Sequence, residues 1–187
     1  MRTNLRIGEI LEDKGYVTAE QIGQALAYQK EHRDKRVGQI LMELGFVTEN
    51  QVLEALADRL HLEIVDVAQI PVNLKAVGMI NRELAEKNLI LPVSVNEHSM
   101  VLVTNDPLNY FALEEVRQQT GCHLEIQLSE EVPLKKAVSY YYAEVHARKA
   151  AKQANVGFST TDIDELEIEN LDNPDEAPIL YFVKSFA

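Results

Sequence analysis

The sequence predicts an α+β chain in which a four-helix tandem repeat is followed by an α/β sandwich and then by an acidic linker. Three observations predict it. Residues 6–29 recur as residues 36–59, with 11 identities in 24 positions, and a fixed-period repeat is one supersecondary unit used twice. From residue 61 the apolar residues leave helical spacing for short alternating runs bounded by turn residues. Residues 155–177 then carry eight acids and no base. The expected division is 1–61, 62–154 and 155–187.

Charge and composition bound the function. The chain has 187 residues, 46% of them hydrophobic, and a formal charge of −12. No apolar run approaches the roughly eighteen residues needed to cross a bilayer, and no signal-peptide pattern opens the chain. The single cysteine, Cys122, excludes an internal disulfide framework and fits a reducing compartment, so a cytoplasmic protein is expected. Residues 1–61 carry eight Lys/Arg against ten Asp/Glu, a net of −2. The acidity therefore lies largely in the tail, and the repeat region remains able to receive an anion.

The first helix is expected over residues 3–15, with Leu5, Ile7, Ile10 and Leu11 on one face and Gly15 as its stop. Thr18-Ala-Glu-Gln21 has capping-box spacing, and a second helix follows with Ile22, Ala25, Leu26 and Gln29 on one face. The second copy repeats these signals through Gly45, Thr48-Glu-Asn-Gln51, Val52, Ala55, Leu56 and Arg59. The six polar residues 30–35 are too few to separate the copies, so the two units must pack as neighbours. A DNA-reading role is disfavoured, because the second helix of each copy offers only Arg59 as a base, beside several acids.

Beyond residue 61, strands are expected at 62–67, 89–95, 100–104 and 123–128. Short helices are expected at 73–80 and 82–87, and longer ones at 110–120 and from Ser129 to about Ala154. The order β-α-β-β-α-β-α has a ferredoxin-like outline. Residues 155–177 read as a solvated spacer. From Asp175 to Ala187 the chain turns apolar and helix-like, as if a further element began there.

The doubled pattern R-[LIV]-G-x-x-L-x-x-x-G-x6-[LIV]-x3-L-x2-Q resembles the N-terminal domain of the type II secretion and type IV pilus assembly ATPases, the MshE N-terminal type. The first copy supplies Arg6, Ile7, Gly8, Leu11, Gly15, Ile22, Leu26 and Gln29. The second supplies Arg36, Val37, Gly38, Leu41, Gly45, Val52 and Leu56, with Arg59 in place of the family's Gln. The segment from Asp175 resembles the opening of the ATPase core. The resemblance implies that the tandem motif binds cyclic di-GMP, and that the region docks on an inner-membrane platform protein at the cytoplasmic face.

The implied chemistry is consistent with the residue types. Arg6 and Arg36 offer planar, bidentate donors to a phosphate or a guanine edge. Ile22/Leu26 and Val52/Leu56, each pair one helical turn apart, could cover a base face. Gly8 and Gly38 would allow close approach of the backbone. Gln29 offers both donor and acceptor, whereas Arg59 only donates.

The same residues admit a plainer reading. The apolar positions would form a core in any four-helix unit, and the two glycines could serve close helix packing. A purely structural interaction module without nucleotide binding is therefore the alternative. No G-x4-G-K-[ST] run occurs, so the chain has no P-loop. No nucleophile–base set stands out, and the five histidines and Cys122 lack metal-ligand spacing, so neither catalysis nor a metal is expected.

Overall fold

In a computed structural model, the structure describes residues 6–158, with side chains described to residue 153. The expected acidic spacer beyond residue 158, the ATPase-like segment from Asp175 and the first turn of the predicted helix 3–15 lie outside the described residues. Among the described residues, two compact units emerge, one of residues 6–65 with 127–130 and one of residues 66–126 with 131–158.

The first unit holds α1 (Ile7–Asp13), α2 (Ala19–Glu31), α3 (Val37–Glu43), α4 (Glu49–Leu60) and β1 (Glu63–Ile64). Local chemistry sets the starts of α2 and α4 alike, and likewise the ends of α1 and α3. Thr18 and Thr48 accept from the backbone N–H of Gln21 and Gln51 at 3.3 Å, and the glutamine side chains return the bond at 2.8 Å. Both are reciprocal capping boxes. At the other end, Gly15 and Gly45 take φ of +73° and +71°. Their N–H groups reach Glu12 and Met42, while Tyr16 and Phe46 reach back to Leu11 and Leu41. This pair of bonds is the Schellman motif, which wants a residue without a Cβ at the left-handed position.

The helices pack crosswise between copies, α1 on α3 and α4 and α2 on α3. Leu11, Ala25, Ile40, Leu41 and Ala55 are completely buried. Neither copy closes a core alone, which is why the six-residue link must keep them adjacent.

The second unit holds α5 (Leu74–Val77), α6 (Arg82–Asn88), β2 (Ile90–Val95), β3 (Ser99–Thr104), α7 (Tyr110–Thr120), most of β4 (His123–Leu128) and α8 (Glu131–Phe158). The expected α+β class and element order are present, as is a mixed four-stranded sheet ordered β1-β4-β3-β2. β2 and β3 form the expected antiparallel hairpin, with Pro92 opposite Leu102 and Ser94 opposite Val101. Val93 is thus an extra residue, and its carbonyl accepts from Asn73 at 2.8 Å instead of joining the ladder. A proline beside a bulge sits where the sheet asks least for its missing N–H.

Several boundaries differ from the sequence reading, and the helix expected over 73–80 covers only Leu74–Val77. The strand expected over 62–67 shrinks to Glu63–Ile64, paired in parallel with Gln127–Leu128. Asp66 is the reason. Its carboxylate accepts from Ala68 N–H and from the Gln69 side chain, and its carbonyl from Gln69 N–H. This turn takes the chain out of the ladder and leaves β1 a short edge strand. The last helix also runs on through Phe158, past the expected end near Ala154.

Tyr142 ties α8 to the rest of the second unit. It is 4% exposed, and its hydroxyl donates to the carbonyl of Ile80 at 3.2 Å. Burial, with the nearby Glu86 charge, pushes its phenol far above the ordinary value of 10. The folded state therefore holds its proton where the unfolded chain has begun to lose it. Stability from this group is complete below pH 10 and is lost as pH rises further. Urea unfolding at stepped pH is expected to show this alkaline fall. Tyr142→Phe should flatten it while costing about 1 kcal/mol at neutral pH for the lost hydrogen bond.

Candidate functional site

Arg6 and Arg36 stand at the N-cap positions of α1 and α3, both with extended backbone (φ −70°, ψ 151° and φ −83°, ψ 152°). Each backbone N–H is taken by the side chain three residues on, Glu9 at 2.8 Å and Gln39 at 3.0 Å. A guanidinium has no lone pair to return that bond, so neither arginine side chain serves as a cap. Both are exposed. The cap residues that best suit a helix start are Ser, Thr, Asp and Asn, and the first unit uses Thr at its other two starts. Arginine at both of these positions is therefore not explained by helix initiation.

Two residues on, the glycines touch the following helix. A Cβ on Gly8 would lie 3.5 Å from Ile22 Cγ2, and one on Gly38 would lie 3.2 Å from Val52 Cγ1 and 3.7 Å from Ile7 Cδ1. The structure thus brings together Gly8 with Ile22, and Gly38 with Val52 and Ile7. Both glycines are buried, and the space above each is filled by the β-branched residue of the next helix. The glycine's immediate effect is to seat that residue beside the arginine-bearing turn. Ile7 reaches across to the second copy through its Cδ1, an atom that Val37 lacks.

The remaining expected residues divide unevenly. Leu26 is 43% exposed while Leu56 is 8% exposed, so the apolar pair of the first copy is open and that of the second is largely covered. Gln29 donates its amide to the carbonyl of Lys35 at 2.9 Å, anchoring the link between copies. The second copy runs into β1 rather than another link, so its Arg59 has no such carbonyl to hold and is exposed. The Gln-to-Arg change between copies thus follows from what comes next in the chain.

A clamp went unread in the sequence. The Tyr16 hydroxyl donates to the Glu54 carboxylate, and Lys14 pairs with Asp58 at 2.7 Å. The hydrogen bond to Glu54 holds the Tyr16 phenol above its ordinary value, and the bond to Asp58 does the same for the Lys14 ammonium. The signal was available in the mismatches between copies. Lys14, Tyr16 and Asp58 replace Leu44, Phe46 and Tyr28 of the other copy, polar changes that a symmetric repeat would not need.

Comparison with known proteins agrees with this architecture. Residues 60–148 match the family model of the MshEN domain. The match covers 89 of the 187 residues, and over them the chain is similar to the MshEN domain. The type IV pilus assembly ATPase PilB of Myxococcus xanthus (strain DK1622) is 26% identical over 182 residues, or 95% of this chain. The chain spans 32% of that relative's length.

Among solved structures, MshE with cyclic di-GMP superposes with a TM-score of 0.68 at 29% identity, covering 74% of this chain and all of the other. The N-terminal domain of XpsE shares the fold, with a TM-score of 0.58 at 21% identity over 72% of this chain and 92% of the other. The family match begins at residue 60, where α4 ends, so it falls on the α/β segment and not on the tandem repeat.

Proposed function

We propose that this chain is a non-catalytic regulatory and docking region of a type II secretion or type IV pilus assembly ATPase, and that its tandem repeat senses cyclic di-GMP. The observation that carries the reading is the duplicated turn in which an exposed arginine precedes a glycine that seats a β-branched residue of the next helix. Two such turns, at Arg6 and Arg36, suit a ligand that itself has two like halves. MshE, solved with that nucleotide, is similar over 74% of this chain. Neither arginine is needed as a cap, and a guanidinium fork matches both phosphate oxygens and the guanine O6/N7 edge.

Binding would act by favouring one arrangement of the repeat, and so bias the parent motor. Docking on the cytoplasmic part of an inner-membrane platform protein would place the region at the membrane through a partner. Among the described residues, no helix is long and apolar enough to cross a membrane. Calorimetric titration of the purified chain with cyclic di-GMP is expected to saturate at micromolar or tighter affinity. Heat that never saturates at high micromolar ligand would reject the sensing role and leave the docking role standing.

A second reading is favoured by one observation. Leu56 is nearly covered and Gln29 is engaged with the interrepeat link, as in a module that only assembles partners. In that case capture of the inner-membrane partner would be unchanged by Arg6→Ala combined with Arg36→Ala, and no nucleotide would bind.

A further inference from the structure

Within the second unit, a groove of about 260 Å³ opens between the α5–α6 corner and α8, lined by Met79, Ile80, Arg82, Tyr142, Val145 and Lys149 among others. Its floor is apolar. Ile80 and Tyr142 are buried beneath it, and Met79 is 37% exposed at its edge. Its lining carries Arg82, His146 and Lys149, and α8 from Val145 to Phe158 adds Arg148 and Lys152 and holds no acid. Arg82 and Arg148 are engaged by Glu86 and Glu144 at 2.8 and 2.9 Å. Lys149 and Lys152 form no ion pair among the described residues.

We propose that this groove receives the chain's own residues 162–171, Asp-Ile-Asp-Glu-Leu-Glu-Ile-Glu-Asn-Leu, which lie outside the described residues. The segment interleaves five acids with Ile163, Leu166, Ile168 and Leu171, so it offers an apolar residue for the floor and a carboxylate for the rim at almost every step. The geometry permits it. From Lys149 to Phe158 the helix advances about 13 Å at 1.5 Å per residue. The five residues from Phe158 to Ile163 can span about 17 Å when extended. Ile163 can therefore return to the level of Lys149, with Asp162 and Asp164 beside the two unpaired lysines. A tether this short makes the encounter intramolecular, so weak contacts suffice. The inference is independent of nucleotide binding.

Zero-length carbodiimide coupling of the 187-residue chain, followed by peptide mapping, tests it. Amide links from residues 162–169 to Lys149 or Lys152 are expected in the monomer, about tenfold above those to Lys135, as a tethered and seated segment would give. Ile163→Asn with Leu166→Asn, changes outside the described residues, should reduce them to the Lys135 level, and so should high salt. Links that ignore the two apolar changes would mean a charged tail without a seat. In a mixture of light and heavy-isotope chains, links that join the two would name a second copy as occupant. Either result, or no links at all, overturns the proposal.

Discussion

Arg6→Ala is expected to weaken cyclic di-GMP binding about 100-fold, the loss of roughly 2.7 kcal/mol that removing a charge-assisted bidentate contact brings. The same change should leave unfolding by urea within about 0.5 kcal/mol of the parent, as for an ordinary surface substitution. The split is readable because of how Arg6 is held. Its backbone N–H bonds to Glu9, an interaction alanine keeps, and its guanidinium takes no part in the cap. Arg6→Lys restores the charge without the planar fork, so only part of the affinity should return. Less than a threefold change for Arg6→Ala, measured by titration beside an unchanged urea midpoint, would remove this arginine from the site.

Gly38 and Gly8 are expected to respond with opposite signs although they occupy equivalent places. Alanine at Gly38 sets a Cβ 3.2 Å from Val52 Cγ1, with Ile7 close behind. Val52 is 7% exposed and stiff at χ1, so it has little room to yield. The overpacking costs about 1–2 kcal/mol, more than the helix propensity that alanine returns. Gly38→Val, with two further methyl groups in the same space, should lose about 3 kcal/mol. At Gly8 the corresponding contact is 3.5 Å, ordinary van der Waals distance. Gly8→Ala should be neutral or raise stability by up to about 1 kcal/mol. Urea denaturation of the three variants decides it, and equal losses at Gly8 and Gly38 would contradict the packing described.

What the sequence revealed of this molecule was what local chemistry controls. Thr18 and Thr48 act through partners three residues away, and Gly15 and Gly45 through carbonyls one turn back, so their roles could be read without knowing the fold. The repeat itself announced two equal units. Long-range choices were hidden. Nothing near Gln29 says that its amide will hold the Lys35 carbonyl, and only that bond explains why copy two can dispense with a glutamine. Asp66 lies in an alternating run that looks like a longer strand, yet its carboxylate is close enough to its own backbone to win against the ladder. The contact of Ile7 with Gly38 depends on a single carbon that Val37 lacks. That detail belongs to packing between copies, and a motif compared position by position treats the two as the same.

We propose that the two arginine–glycine turns together form the ligand site. Mapping amide NMR shifts of the whole chain during titration with cyclic di-GMP tests it most directly. The largest shifts are expected on Arg6, Ile7 and Gly8 and on Arg36, Val37 and Gly38, moving together to one saturation point. Saturable shifts confined to residues 66–126, or none at any ligand concentration, would contradict it.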